Sequence, residues 1–451
     1  HKGMTEGDVL GFLDQHTGFY PDPTHFIYEL LQNAEDMNAT EVSFRLFPDK
    51  LFFEHNGTKR DFELNDIDAI TNKGKSPKAD DPTQIGKFGM GFKAVYVYTT
   101  TPEIHSGEFD FRIENVIIPT DENVPKLAKK GFTQFIFPFN NPKKTAEEAV
   151  KEITEALLTL NETAILFLTN IKKINYILPD GKAGYVTLIE KIQNIRFLYS
   201  TTVKRPDAEK EITYWAKFFD KCPLIVNEIS SSNAIKNFPV SIAYRLIKTN
   251  DDKFTLDNSL IGKVCLFFPT EIDSLLHFHI NAPFASTVAR DNILSKGEDG
   301  EANEKLINQL AELTVESLHW LKKAKMLDYA AYATLPTMRD FDNHPGSRYK
   351  IFATRIKEEF EREELFVTDD AGYDSINSIY NAADKDIKTI LSSADIDKLY
   401  QKKWIPTAPL FSRVDAFIKQ FNCRIENYSI ENFIDSLETN PHFFDDVLLE
   451  H

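Results

Sequence analysis

Three polar residues near the start of the chain recur at the spacing of one helix face. Glu29, Asn33 and Asp36 stand at positions i, i+4 and i+7, so a helix would stack their side chains on a single ridge. The positions beside them are apolar and predict the buried face of a helix from His25 to about Asn38. Asparagine contributes little to a helix interior, which suggests another role for Asn33. Spacing alone nevertheless favours a solvated helix face over the edge of a pocket.

A glycine-rich segment at residues 85–93, IGKFGMGFK, has the composition of a phosphate-binding loop. Its glycines let the backbone approach an anion closely and leave N–H groups to bind it (Gly86, Gly89 and Gly91). Phe92 begins a predicted helix whose N-terminus favours phosphate, and Lys93 adds a positive charge. The segment lacks the lysine-serine ending of the P-loop and the leading strand of a dinucleotide fingerprint. A glycine loop between packed elements is the alternative interpretation.

Two further segments lie between these motifs. Residues 50–57 predict a strand that ends at His55 and runs into a turn at Asn56-Gly57. Residues 70–78 predict a basic, glycine-bearing loop that ends at Lys78, and plain surface is the alternative interpretation of that loop.

The composition excludes several classes of protein. The chain has 451 residues, of which 42% are hydrophobic and 27% charged, values typical of folded globular proteins. A net charge of −17 argues against coating nucleic acid through bulk charge, since such binding depends on neutralising phosphates. No apolar run approaches 18 residues, so we expect no membrane span. The cysteines are far apart, which indicates a reducing, cytoplasmic compartment (Cys222, Cys265 and Cys423).

The patterning divides the chain into three stretches. Residues 1–145 hold the motifs described above, and residues 146–325 alternate strand-like with helix-like patterns up to a predicted helix at 303–323. Residues 326–451 are charged and mainly helical, with predicted helices at 355–364 and 384–400. The last three residues resemble the start of a purification tag, so we expect this third region to be truncated.

One pair of histidines has the spacing of metal ligands. His277 and His279 would alternate on one strand face, but no third ligand is spaced nearby. We therefore interpret both as packed or solvated side chains.

In their order along the chain, the motifs resemble the GHKL superfamily of ATPases, which includes gyrase, the ninety-kilodalton heat-shock chaperone, histidine kinases and MutL. Residues 29–36, ELLQNAED, are similar to the ExxxNxxD box of that family, and residues 85–92 are similar to the chaperone's glycine segment. Gly131-Phe132-Thr133, followed by alternating phenylalanines, resembles its late Gly-Thr strand. The segments ELLQNAED and GFKAVY are most similar to the sacsin-like ATPases.

The resemblance implies an α+β fold with several parts. Residues 1–145 would be an N-terminal Bergerat-type α/β sandwich ATPase domain, and residues 146–325 a second, transducer-like α/β middle domain. Residues 281–291 resemble the chaperone middle-domain loop whose arginine reaches the γ-phosphate, a role that falls to Arg290. The mainly helical region 326–451 has no counterpart in the resemblance.

The resemblance also implies roles for the motif residues. Asn33 would hold Mg²⁺ against the phosphates of ATP, and Glu29 would orient or deprotonate the attacking water. Asp36 would shape the pocket, and residues 70–91 would form a mobile lid over the nucleotide. The remaining positions of the implied nucleotide site are His55, Gly57, Lys78, Gly86, Gly89, Gly91, Phe92, Lys93 and Thr133.

One departure from the family concerns the residue that would recognise the nucleotide base. The family usually places an aspartate before x-Gly, where it accepts a hydrogen bond from the adenine amino group, whereas this chain has His55. Neutral imidazole can accept one hydrogen bond through either ring nitrogen, so adenine binding is one interpretation. A surface histidine beside the turn is the other. The neighbouring Glu54 would point to the opposite strand face and is a poor substitute.

The resemblance implies a nucleotide-driven conformational switch. Slow, Mg²⁺-dependent ATP hydrolysis would drive domain closure or formation of a homodimer and act on a protein client or effector, as in chaperoning, DNA-related or defence-related members. A non-hydrolysing nucleotide-binding scaffold is the alternative. A phosphotransferase of the histidine-kinase type is disfavoured, because no dimerising helical hairpin with an exposed histidine precedes residue 20.

Overall fold

The computed structural model describes residues 23–57, 62–71, 91–227, 233–249, 251–287, 292–384 and 386–444. These residues form an α+β structure in which helices pack on a large mixed sheet, with two small sheets near the C-terminal end. None of the helices in this described part has the length and apolar composition needed to cross a membrane.

Among the described residues, fifteen strands make up the large sheet: β1 (Glu41–Leu46), β2 (Lys50–His55), β3 (Glu103–Ser106), β4 (Phe109–Glu114), β5 (Ile118–Thr120), β6 (Thr133–Pro138), β7 (Lys173–Ile177), β8 (Ala183–Glu190), β9 (Leu198–Lys204), β10 (Lys210–Asn227), β11 (Asn233–Lys248), β12 (Phe254–Leu256), β13 (Lys263–Leu266), β14 (Phe268–Asp273) and β15 (His279–Asn281). Across the sheet the order is β5-β4-β3-β6-β2-β1-β7-β8-β9-β10-β11-β15-β13-β14, with β12 paired to β11. The parallel pair β1–β7, with Val42 opposite Ile174, joins the first six strands to the rest.

The α-helices are α1 (Pro23–Asp36), α2 (Leu64–Thr71), α3 (Ala146–Thr159), α4 (Thr163–Leu166), α5 (Gly297–Lys323), α6 (Tyr329–Thr334), α7 (Lys350–Arg362), α8 (Ile387–Ile390), α9 (Ser393–Tyr400), α10 (Arg413–Lys419) and α11 (Ile430–Thr439). Shorter 3₁₀ helices span Gly91–Val97, Ile192–Asn194, Met338–Phe341 and Ile376–Ser378. The small sheets contain β16 (Phe366–Val367), β17 (Tyr373–Asp374), β18 (Ile379–Ala382), β19 (Lys403–Trp404) and β20 (Glu426–Tyr428).

The first helix ends where the sequence supplies an asparagine. Asn38 adopts the left-handed conformation with φ 57°. Its N–H donates to the carbonyl of Glu35 at 2.9 Å, and the N–H of Ala39 donates to the carbonyl of Ala34 at 3.0 Å. These two bonds form a Schellman motif, which stops the helix. The predicted helix is therefore confirmed, with its end two residues earlier, and the predicted strand at residues 50–55 is confirmed as β2.

In the part of the chain that the structure describes, buried side chains form three cores. The first joins α1 to the strands around β1 and β2 and also takes in Phe267 and Phe268. The second runs from Leu198 to Ile425, so packing continues from the middle strands through α5 and α7 to α10. A small third core surrounds Trp404 near the C-terminal end.

Two sequence predictions need correction. The single helix predicted at 384–400 is wrong, because Ser392 begins a new helix: its hydroxyl accepts from the N–H of Asp395, whose carboxylate accepts from the N–H of Ser392. His277 is not on a strand, since β15 begins at His279. The Nδ1 atom of His279 accepts from the N–H of Lys263 at 2.9 Å, as a packed side chain does. Within the described ranges, no three His, Cys, Asp or Glu side chains are grouped to hold a metal.

Candidate functional site

The polar ridge of α1 lies beside the apolar face that the helix buries against the sheet. Asp36 is buried, while Glu29 and Asn33 are half-buried, so the solvated face that spacing alone favours is not what the structure has. The helix packs against α3 and against the 3₁₀ helix at 91–97. The ridge therefore lies at the border between the core and an accessible surface.

The other flank of α1 contacts the middle part of the chain. The ring of Tyr28 stacks on Phe268 at the start of β14, with centroids 4.7 Å apart. Glu35 is 5% exposed, and its carboxylate accepts hydrogen bonds from the backbone N–H groups of 169–171 at 2.8, 2.8 and 2.9 Å. The Asn170 side chain donates a further bond at 3.1 Å. No local pattern in the sequence indicates this role of Glu35, because its partners lie more than 130 residues away along the chain.

The end of β2 meets the end of α1 at Gly57. A Cβ atom built on Gly57 would lie 3.0 Å from Nδ1 of His55 and 3.1 Å from Cβ of Met37, so the absence of a side chain permits this close packing. His55 itself is 3% exposed, which makes the surface-histidine interpretation wrong. Its Nδ1 accepts a hydrogen bond from the N–H of Gly57 at 3.2 Å. Burial lowers the pKa of His55 to about 4, so the ring is neutral near pH 7.

The first residue of β6 completes a small polar group beside the histidine. Thr133 is buried and stands opposite His55 on β2 and Ser106 on β3. Its hydroxyl lies 2.7 Å from that of Ser106, which also accepts from the N–H of Phe62 at 3.2 Å. The structure thus brings His55 and Thr133 together across the β2–β6 pair.

The end of the glycine segment faces the same side of the sheet. Residues 91–97 form a helix, so the predicted start of a helix is confirmed. The helix is of the 3₁₀ type. Phe92 and Lys93 are buried. The ring of Phe135 on β6 lies 5.9 Å from Phe92 and 6.3 Å from His55. Phe135 therefore bridges the glycine-segment helix and the end of β2.

Part of the predicted site falls outside the described residues. These positions are Lys78, Gly86, Gly89, Arg290 and residues 72–90 of the predicted lid.

Comparison with known proteins gives a family match near the N-terminal end and a longer match to human sacsin. Residues 17–130 match the family model described as the sacsin domain. Human sacsin is 22% identical over 471 residues, which cover 82% of this chain and 10% of sacsin. Protein NO VEIN of Arabidopsis thaliana is 35% identical over 113 residues, which cover 24% of this chain and 4% of that protein. The chain thus spans only a small part of the length of either relative.

Among solved structures, the N-terminal domain of a DNA repair protein aligns with 64% of this chain and 92% of its own, at 13% identity. Its TM-score is 0.37, which is too low to assign a shared fold. The predicted similarity to the sacsin group rests instead on the sequence matches, and they confirm it. Residues 17–130 are thus similar to the sacsin domain.

Proposed function

We propose that the first part of the chain binds a nucleoside triphosphate with Mg²⁺, ATP by the family resemblance, and hydrolyses it slowly to drive domain closure or dimerisation. One observation carries the proposal. Helix α1, which carries the ridge, packs against the 3₁₀ helix that ends the glycine segment, and Phe135 connects that 3₁₀ helix to the His55–Thr133 pair. A triphosphate spanning these groups would have its base beside His55 and its phosphates beside the glycine segment.

The donor atoms on the ridge suit magnesium. Asn33 carries an amide oxygen, while Glu29 and Asp36 carry carboxylates, and Mg²⁺ prefers such oxygen ligands while keeping several waters. We assign Asn33 to hold the ion, whose charge would offset that of the phosphates when bound. The half-burial of Asn33 leaves a surface on which ordered waters can approach the site.

Hydrolysis needs a group that positions water. Glu29 stands one helical turn before Asn33 on the same ridge, so its carboxylate would orient or deprotonate a water attacking beside the ion. Lys93 and the N–H groups at the start of the 3₁₀ helix would hold the phosphates. By the resemblance, Arg290 would reach the γ-phosphate and complete the site on closure.

The helix that carries the ridge also touches the middle part of the chain. Tyr28 packs on Phe268, and Glu35 binds the backbone at 169–171 just before β7. A shift of α1 on nucleotide binding would therefore be transmitted directly to β7 and β14. This contact gives the proposed switch a physical connection to the rest of the protein.

Changing Glu29 to alanine tests the proposal. We expect Glu29→Ala to release phosphate at least about 100-fold more slowly than the wild type, because a loss of that size is typical of removing a general base. Its nucleotide affinity should change little. Asn33→Ala should lose both binding and hydrolysis. Binding is measured by calorimetry and turnover by phosphate release, with Mg²⁺ and each of ATP, GTP, CTP and UTP.

Glu155→Ala is the matched control, because it removes an exposed glutamate from the neighbouring helix α3. Wild-type turnover in Glu29→Ala would show that the base is assigned wrongly. Nucleotide binding without any hydrolysis in the wild type would favour the scaffold alternative. If no nucleotide binds, the proposed function is wrong.

A further inference from the structure

The orientation of the His55 ring bears on which base the proposed nucleotide site accepts. His55 ends β2, and its Nδ1 receives the backbone N–H of Gly57 at 3.2 Å. A backbone N–H can only donate, so Nδ1 carries no hydrogen in this arrangement. The ring is neutral, because burial lowers the pKa of His55 to about 4. A neutral imidazole has one N–H group, and here it must be Nε2–H.

The surroundings hold the ring in this orientation. Its Nδ1–Cε1 edge lies against Gly57, where an added Cβ would come within 3.0 and 3.1 Å of those two atoms. The rings of Phe53 and Phe135 lie 5.9 and 6.3 Å from the imidazole. Turning the ring over would give up the bond from Gly57 in a buried position, where an unpaired donor is costly.

The polar side chain opposite His55 on β6 can act either as a hydrogen-bond donor or as an acceptor. Thr133 stands opposite His55, and its hydroxyl pairs with that of Ser106 at 2.7 Å. A hydroxyl can donate or accept, so these groups adapt to either kind of ligand edge. Of His55, Thr133 and Ser106, His55 is therefore the side chain whose hydrogen-bonding role is fixed, as a donor through Nε2.

We propose that His55 makes the site prefer a purine that carries an oxygen at C6, as in inosine or guanosine triphosphate, over adenine. The Nε2–H group can donate to a C6 oxygen. It would face the amino group of adenine donor to donor and leave both unpaired. The inference rests on the proposed nucleotide-binding function and changes one property of it, the base.

The test compares Mg²⁺-ITP with Mg²⁺-ATP, because these nucleotides differ at the purine C6 edge and not in the ribose or phosphates. Calorimetric titration of the full chain should give a dissociation constant about tenfold lower for ITP, since an unpaired buried donor costs about that factor in affinity. GTP should follow ITP. His55→Asp supplies an acceptor and should reverse the order of ITP and ATP. The asparagine amide of His55→Asn offers both a hydrogen-bond donor and an acceptor. This variant should therefore bind ITP and ATP with nearly equal affinity.

Glu54→Gln is the matched control, since Glu54 lies on the opposite face of β2 and pairs with Lys129. Its ratio of ITP to ATP affinity should equal that of the wild type. Wild-type protein that binds ATP as tightly as ITP, or more tightly, overturns the base inference and leaves the nucleotide site standing. Absence of binding by every nucleotide overturns the proposed function, and the base inference with it.

Discussion

At the scale of single residues, the segment 29–36 contains carboxylates with two different roles. Glu29 and Asp36 border the candidate site, whereas Glu35, adjacent in sequence to Asp36, is used for structure. Its carboxylate receives three backbone N–H groups and one side-chain amide from the segment before β7. A stretch of eight residues thus provides both proposed chemistry and a long-range connection.

Removing the Glu35 carboxylate should be strongly destabilising. Glu35→Ala leaves three backbone donors without their acceptor, and we expect the free energy of unfolding to fall by about 3 kcal/mol or more. Urea denaturation measures this change. Glu155→Ala, at an exposed site on α3, should stay within about 0.5 kcal/mol of the wild type. Equal losses in the two variants would contradict the structural role of Glu35.

At the scale of elements, Asn38 fixes where α1 ends. The residue has φ 57°, a conformation that β-branched residues adopt at a cost and glycine adopts freely. We expect Asn38→Val to lower the free energy of unfolding by about 1–2 kcal/mol. Asn38→Gly, the matched variant, should differ from the wild type by a few tenths of a kcal/mol.

Chemical denaturation of both variants measures these effects. Equal losses of unfolding free energy in Asn38→Gly and Asn38→Val would show that the left-handed backbone conformation of residue 38 does not cause the destabilisation. The turn at Asn38 also contributes to the candidate site, because it brings Met37 against Gly57 beside His55.

At the scale of the whole molecule, a buried lysine connects distant segments of the middle stretch, residues 146–325. Lys217 on β10 donates to the carbonyl of Leu166 at 2.7 Å, and its ammonium lies 5.7 Å from the Phe167 ring and 5.3 Å from the Tyr199 ring. Burial lowers the pKa of Lys217 from 10.5 to about 8. The charged form is therefore less favourable in the folded protein than in the unfolded chain.

This shift predicts a specific pH dependence. Between about pH 8 and 10.5 the unfolded chain binds more protons at this lysine than the folded protein does, so its contribution to stability rises with pH across that window. Below pH 8 the full destabilising effect, on the order of 3 kcal/mol, is present. Lys217→Met removes the effect, so the difference in unfolding free energy between wild type and variant should change from pH 7 to pH 10.

Urea unfolding of both proteins at several pH values measures this difference, and other titrating groups cancel in the comparison. The stability of the wild type relative to Lys217→Met should improve as the pH rises. A difference that stays constant from pH 7 to pH 10 would show that the buried ammonium carries no such cost.

Much of the local structure follows from the sequence. Helical spacing predicts α1, apolar alternation and a turn predict β2, and glycine followed by helix-forming residues predicts the helix that begins at Gly91. Each of these signals acts within about a dozen residues, where periodicity and turn chemistry suffice. The same helical spacing is enough to place Glu29, Asn33 and Asp36 on one ridge.

How those elements come together depends on contacts between distant parts of the chain. The join of β1 to β7, the partners of Glu35 and the burial of His55 depend on residues that meet across long stretches of chain. Such contacts leave no pattern in a local window, because the hydrogen bonds and desolvation that define them arise only on packing. Residue type and local spacing therefore indicate which residues could do chemistry. Their burial, their hydrogen-bond partners and, for His55, the nitrogen that carries the proton are set only when the chain folds.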